Sequence, residues 1–246
     1  MPNKIHSTSA SVDTVGYLQT LPLFVGVGED VVKSFVEHSQ FHKHKAGDSL
    51  FFQDEPIEWF YVILTGWVKL YRTTQDGHEA IFDMLTSSQL CGETAILDGE
   101  DYPFSATVVE DAEVIRIPAN VLNAAIKEDN RMAYAMLKAV ARYRNQQTRE
   151  IESLTLQNAS QRIGCYLLRL CRVGVAEPVA IKLPYDKSMI AARLGMKPET
   201  FSRALKKLRE ETEICVEGGT VTVPTIQCLS SFACSGCSNE YPCGDL

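Results

Sequence analysis

From Gly47 to Pro118, apolar and polar residues alternate in short runs, each closed by a turn sequence. The runs Ser49–Gln53, Trp59–Leu64, Val68–Thr73, Ala80–Leu85, Ala106–Val109 and Glu113–Ile117 are rich in β-branched and aromatic residues and predict strands. Their punctuation is Ala46-Gly47-Asp48, Asp54-Glu55-Pro56, Thr65-Gly66, Gln75-Asp76-Gly77 and Asp98-Gly99-Glu100-Asp101. Such spacing predicts a small antiparallel roll or barrel. After Pro118 the pattern changes. Ala119–Leu156 holds no Pro or Gly and reads as helix, with a break near Glu128-Asp129-Asn130. Met132, Met136, Val140, Tyr143, Gln147, Ile151 and Leu154 recur there at spacings of three and four, which predicts a two-helix coiled-coil seam and hence a homodimer. A helix packed on its own domain is the alternative.

Gln161–Arg172 is a further apolar helix, and Pro178–Pro184 gives a short strand and a turn. In Lys187–Arg209 an apolar pattern (Met189, Ile190, Leu194) breaks at Leu194-Gly195-Met196, and a second helix begins at Lys197-Pro198. Ile214–Val216, Gly218-Gly219 and Thr220–Val223 then form a hairpin, which makes the unit a winged helix-turn-helix. From Pro224 onward there is no periodicity, and the tail is expected to lack structure unless something ties it down. Residues 1–16 read as a polar, loosely ordered arm.

Charge sharpens this outline. Lys187–Arg209 carries seven Lys/Arg against one Glu, a balance of +6, while the whole chain is −7, so the remainder sums to −13. An acidic protein with one basic helix-turn-helix points to double-stranded DNA as partner. Glu199 and Arg203 lie four apart on one helix face with Ser202 beside them. Arg offers a planar fork to guanine O6 and N7, and Glu accepts from cytosine N4. Lys187, Lys197, Thr200, Lys206, Lys207 and Arg209 are expected on the DNA backbone, setting register. The bland alternative is a solvated helix with an internal Glu–Arg pair.

At 246 residues and 45% hydrophobic, the chain is long enough for two domains. No signal-like or membrane-spanning apolar run appears, so a soluble, cytoplasmic protein is expected. Four of the eight cysteines fall in the last nineteen residues as Cys228-x5-Cys234-x2-Cys237-x5-Cys243. Four clustered thiols suit a tetrahedral soft-metal site, an iron–sulfur cluster of the 4Fe–4S type or structural zinc. A thiol–disulfide switch and an inert tail are the other readings. Cys91, Cys165, Cys171 and Cys215 stand alone in apolar or strand-like patterns and read as buried structural thiols. His38, His42 and His44 read as surface histidines, with a haem or metal role as the alternative. No Ser-His-Asp set, phosphate loop or paired carboxylates indicates an enzyme.

The order of β-roll, long helix and winged helix-turn-helix resembles the Crp–Fnr family of transcription regulators. Its markers here are Leu21-Pro22-Leu23-Phe24, Gly47-Asp48, Phe51-Phe52-Gln53, Tyr61–Gly66, Gly92-Glu93 and the helix-turn-helix. The resemblance runs over roughly Leu21–Pro224. It implies an α+β fold with an N-terminal antiparallel β-roll like a cyclic-nucleotide-binding domain, a long dimerisation helix and a C-terminal winged helix-turn-helix. The expected division is an arm over 1–16, the β-roll over 17–127, the dimerisation helix over 128–157, the DNA-binding domain over 158–225 and a Cys-rich tail over 226–246. Glu199-Thr200-Phe201-Ser202-Arg203 resembles the Glu-x-x-Ser-Arg pattern of the Fnr branch, which implies TTGAT-like half-sites in an inverted repeat. RNA polymerase is then an expected partner. In relatives that bind cyclic AMP, a Gly-Glu pair is followed by an Arg that clamps the cyclic phosphate. Here that Arg slot holds Phe104 before Ser105-Ala106, so no cyclic AMP binding is expected. The Fnr branch senses oxygen through an N-terminal cysteine cluster, whereas residues 1–90 here contain no Cys. The expected signal is therefore redox, oxygen or NO acting at the C-terminal thiols. The alternative is an organic effector or haem in the β-roll, with the tail incidental or holding zinc.

Overall fold

The computed structural model describes residues 13–171, 176–183, 186–238 and 241–243. Helix α1 (Thr14–Thr20) starts at Asp13, whose carboxylate accepts from the Gly16 N–H at 2.9 Å and satisfies a donor that the helix start leaves open. The arm expected over 1–16 thus gives way to helix at Thr14; residues 1–12 lie outside the described residues. Helix α2 (Glu29–His38) follows, and Leu18, Leu21, Phe24, Val32 and Phe35 form an apolar layer under the sheet.

Strands β1 (Gln40–His44), β2 (Ser49–Phe51), β3 (Trp59–Thr73), β4 (Glu79–Leu85) and β5 (Leu90–Cys91), the short helix α3 (Ala95–Asp98) and strand β6 (Ser105–Pro118) build the roll. The order is β1-β6-β3-β4, with β2 on β6 and β5 on β3, and every pairing is antiparallel. The sequence divides β3 at Thr65-Gly66, but the strand runs straight through. Its register with β6 shifts between Ile63 and Thr65 and again before Trp67, so the turn-like dipeptide is a bulge. Gly66 has φ +84°, and a Cβ there would stand 2.5 Å from the Asp111 carbonyl oxygen. Only glycine fits so close to the facing strand.

Helix α4 (Ala119–Glu128) and helix α5 (Asn130–Leu156) part where the sequence places the break. Asp129 caps α5, accepting from the N–H groups of Arg131 at 2.7 Å and Met132 at 3.4 Å. The Arg131 guanidinium bonded to it holds the Asp129 carboxyl down at about 2.

The dimer seam read from the sequence needs correction. Met132 and Met136 are 0% and 1% exposed, sunk with Ala135 and Ala139 into the protomer's own core. Burying each methionine stabilises the roll by about 1.5–3 kcal/mol. Tyr143 also turns inward and bonds Glu93. A stripe at spacings of three and four looks the same whether it covers a sheet or a partner helix, and α5 does the first before it offers the second. The outward face runs Leu137, Val140, Arg144, Gln147, Ile151 and Leu154, all exposed, with Leu137 at 65% and Ile151 at 66%. Its alternating steps of three and four have heptad spacing.

The C-terminal unit contains α6 (Ala159–Leu170), β7 (Val179–Lys182), α7 (Lys187–Arg193), α8 (Pro198–Thr212), β8 (Cys215–Glu217), β9 (Thr220–Val223) and α9 (Ile226–Cys234). A three-stranded sheet in the order β7-β9-β8 forms the wing. Helix α6 opens with a capping box in which Asn158 and Gln161 satisfy each other's backbone N–H groups. The tail expected to lack structure forms α9, with Leu229 and Ala233 fully buried against Ile163, Leu167 and Leu208. Packing on α6 is the tie. Gly164 permits it, since a Cβ there would lie 3.0 Å from the Ala233 Cβ. Among the described residues no helix is long and apolar enough to cross a membrane.

Candidate nucleic-acid interface and thiol face

Asp186 caps α7 by accepting from the Ser188 N–H at 3.2 Å, and the turn passes through Gly195 at φ +62°. Pro198 then starts α8, and Phe201, Ala204, Leu205 and Leu208 bury one side of it. The opposite side is exposed and presents Glu199, Ser202, Arg203, Lys206, Lys207 and Arg209, with Lys187 and Lys197 exposed at the starts of the two helices. Thr200 is half-buried. The structure therefore brings the three base-reading candidates onto one ridge. Arg203 Nε donates to the Glu199 carbonyl at 3.4 Å, and the Ser202 hydroxyl donates to the Pro198 carbonyl at 2.9 Å. Both hold their side chains along the helix, and a basic ridge on solvent suits a polyanion.

A second geometry links the two units. Arg193, at the end of α7, pairs with Asp83 of β4 at 3.6 Å and with Glu150 of α5. Beside this triad lies a cavity of about 270 Å³, which Trp67, Arg162, Cys165 and Arg169 help to line.

In the β-roll, Gly92 at φ +89° lies under the rings of Phe51 and Tyr102, which stack at 3.8 Å. Phe104 packs on Phe51 and on Phe82, with centroids 5.8 and 5.3 Å away. Glu93 is buried and accepts a 2.6 Å hydrogen bond from the Tyr143 hydroxyl of α5. Burial pushes its carboxyl above the ordinary range, with the Tyr143 bond pulling the other way. This contact between roll and long helix is absent from the sequence reading, because residues fifty apart give no local signal.

No disulfide links any of the eight cysteines. The predicted thiol set is rearranged. Cys228 is exposed on the first turn of α9, six residues before Cys234. On a helix that separation is about 9 Å of rise and about a third of a turn, so Cys228 and Cys234 lie on different sides of the helix and nearly two turns apart. Cys234, Cys237 and Cys243 are half-buried and have Cys165 of α6 as their neighbour. Burial pushes the Cys165 thiol up, Arg169 beside it pulls the other way, and charge on Cys243 or Cys237 raises it further. Burial likewise raises Cys234, with Cys243, Cys165 and Cys237 acting in the same sense. The donors are the right chemistry for a soft metal, yet among the described residues no three His, Cys, Asp or Glu side chains are close enough to hold an ion. Cys91 and Cys171 are buried as expected, whereas Cys215 is exposed on the wing. An alternating strand places half its residues on solvent, which explains that miss.

Two contacts bind this thiol face to the end of α5. Glu152 accepts from the Ser238 N–H at 2.7 Å, which holds its carboxyl below the usual range. Gln157 donates to the Ala233 carbonyl at 3.1 Å. His38 bonds the Ser34 carbonyl at 2.7 Å, and His42 and His44 lie with ring centroids 6.1 Å apart on β1.

Residues 41–129 match the family model for the cyclic nucleotide-binding domain, and residues 161–232 match that for the Crp-like helix-turn-helix domain. The chain is 29% identical over 212 residues to the cyclic AMP receptor protein of Thermus thermophilus, spanning 86% of this chain and 96% of that one. It is 28% identical over 189 residues to the global nitrogen regulator of Synechococcus elongatus, spanning 75% and 85%. A solved structure of a candidate cyclic nucleotide binding protein from Ruegeria pomeroyi superposes with a TM-score of 0.68 at 30% identity, covering 89% of this chain and 96% of that chain.

Proposed function

This chain belongs to the Crp–Fnr family of transcription regulators, and we propose that it reads TTGAT-like inverted repeats as a homodimer whose binding is gated at its C-terminal thiols. The observation that carries the DNA reading is the exposed ridge of α8, whose opposite side is locked into the core by Phe201 and Leu208. Glu199, Ser202 and Arg203 then meet base edges, while Lys187, Lys197, Thr200, Lys206, Lys207 and Arg209 meet phosphates. Two-fold pairing along Leu137, Val140, Arg144, Gln147, Ile151 and Leu154 places two such ridges on one duplex. The regulator acts in the cytoplasm and engages RNA polymerase.

The gate is assigned to the thiols because the β-roll already uses its own side chains where an effector would sit. Tyr143 occupies Glu93, and Phe104 stands in place of a guanidinium. A cyclic phosphate against Phe104 would be an anion without a charge-assisted partner, which costs several kcal/mol, on the order of 2–7. At the thiols, an iron–sulfur centre or zinc would supply a tie that oxidant or NO can undo. Cys234, Cys237 and Cys243 are the tail residues that would hold it. Glu152 and Gln157 anchor that segment to α5, so ordering or loosening it bears on the helix that pairs the protomers.

Fluorescence anisotropy of a labelled inverted-repeat duplex against a scrambled duplex of equal length tests the reading. Dimeric stoichiometry and tighter binding to the repeat are expected in either the reduced or the air-exposed protein. Equal affinity for both duplexes in both states would refute it.

A further inference from the structure

We propose that the cavity of about 270 Å³ at the junction of the β-roll, α5 and the DNA-binding unit binds a small organic monocarboxylate, held by Arg162 and Arg169 of α6. The inference goes beyond the thiol reading above and requires neither a metal nor an oxidant. One face of α6 forms a wall of the cavity. Arg162, Cys165, Tyr166 and Arg169 all line it, and their spacing of three, four and seven residues puts them on one side of that helix. Opposite stand Glu150 of α5 and Asp83 of β4, with Arg193 at the end of α7. Ligand sites favour such junctions between packed units.

Charge decides what the cavity accepts. Asp83 and Glu150 are both spent on Arg193. Arg162 and Arg169 lie about 10 Å apart along α6, and no further carboxylate among the described lining residues meets them. Arg162 Nε is buried with no hydrogen-bond partner, and a buried donor left unpaired signals a missing acceptor. Three guanidinium groups against two carboxylates leave one positive charge in the lining, so a single anion completes it. A carboxylate presents two oxygens to the planar fork of a guanidinium. A phosphate monoester would bring a second negative charge for which the lining holds no cation. Trp67, Met84 and Leu194 add apolar surface beside these groups, so the carboxylate carries a hydrocarbon or aromatic body. The volume lies below the roughly 300–1,000 Å³ of sites for drug-sized molecules, which keeps that body small.

Position gives the site a consequence for DNA. A molecule held there touches the roll, the pairing helix and the DNA-binding unit together. Arg193 already ties α7 to β4 and α5, and α8 follows α7 after the turn at Gly195. The ligand therefore acts on how the ridge of α8 is carried. By linkage, ligand and duplex must change each other's affinity by the same factor.

The test titrates the full-length, reduced protein calorimetrically with butyrate, cyclohexanecarboxylate and benzoate, each against its neutral amide. At least one acid should bind once per chain and roughly tenfold or more tighter than its amide, the worth of a charge-assisted bond. Arg162→Met should weaken that binding by about the same factor. Arg142→Met, which removes an exposed charge of α5 outside the cavity, should leave it unchanged. A second readout needs no ligand. Arg162→Met removes an unpaired buried donor, so its urea midpoint should equal or exceed that of wild type, whereas loss of a structural arginine lowers it. Saturation with the inverted-repeat duplex should then shift the acid's dissociation constant by roughly fivefold or more. No acid binding better than its amide, undiminished binding in Arg162→Met, or a lowered midpoint in that variant overturns the site. An unchanged dissociation constant on bound duplex overturns its link to DNA alone. A duplex that does not bind refutes the repeat reading instead, and the acid titrations still decide the site.

Discussion

The β-roll and the C-terminal unit treat their buried polar groups in opposite ways. In the roll, the buried Glu93 carboxyl is met by Tyr143, and Phe51, Tyr102 and Phe104 fill the space around Gly92 with their own rings. In the C-terminal unit, Arg162 Nε and the Tyr241 hydroxyl are buried without a partner, and α8 turns a row of charges to solvent. Among the described residues the roll leaves no buried side-chain donor or acceptor unpaired, whereas the other unit does. A signal needs unsatisfied chemistry to act on, and the difference teaches that this chain keeps such chemistry at its C-terminal end. Helix α5 serves both units: its first half completes the roll and its second half carries the contacts to the thiol face.

The largest expected effect probes the saturated side. Met136→Ala should lower the stability of the roll by roughly 2–5 kcal/mol, read by urea unfolding, and leave the dimer mass in sedimentation unchanged. Leu137→Asp, one residue along, should do the reverse, giving a monomer of near-native stability. If Met136→Ala dissociates the dimer while the roll stays intact, the division of α5 into two faces is wrong. Next in size, Arg203→Ala should cost about 1–3 kcal/mol of discrimination at one guanine, with unfolding unaffected. An unchanged ratio between target and scrambled duplex would remove Arg203 from base reading. Third, Glu93→Gln should flatten a pH dependence. The folded protein holds the Glu93 proton more tightly than the unfolded chain, because burial disfavours its charge. That contribution is therefore complete below the ordinary carboxylate range and fades as pH rises through the elevated folded value. Thermal midpoints measured from pH 4 upward should decline less steeply in the variant; parallel curves would mean that Glu93 titrates normally. The smallest effect belongs to Lys206→Ala, which should weaken all DNA sequences alike and lower the salt slope by about one unit. A sequence-dependent loss would make Lys206 a base contact.

Local chemistry was legible wherever it decides structure by itself. Asp129 interrupts the helical run because its side chain caps the next helix, and the sequence marks that point. Pro198 and Gly195 mark the turn of the DNA-binding unit, and the ridge of α8 follows from helical spacing alone. The errors share one cause. Thr65-Gly66 has the composition of a turn, yet β6 runs close enough alongside to hold β3 straight through it. Nine residues from Ile226 to Cys234 are too few to be helical on their own, and α6 makes them so. Packing also adds a neighbour that the spacing does not name: the tail pattern gives Cys228, Cys234, Cys237 and Cys243, while Cys165, some seventy residues upstream, comes to lie beside the last three.

By itself the sequence determined the period of each element, the helix starts and stops, the basic face of the recognition helix and the family to which the chain belongs, because these depend on neighbours a few residues away. Tertiary structure decided which side of α5 is core and which is left exposed, whether the last helix exists, and which cysteines are neighbours. Those are contacts between distant segments, and a linear pattern says that a face is apolar or a thiol present without saying what will lie against it.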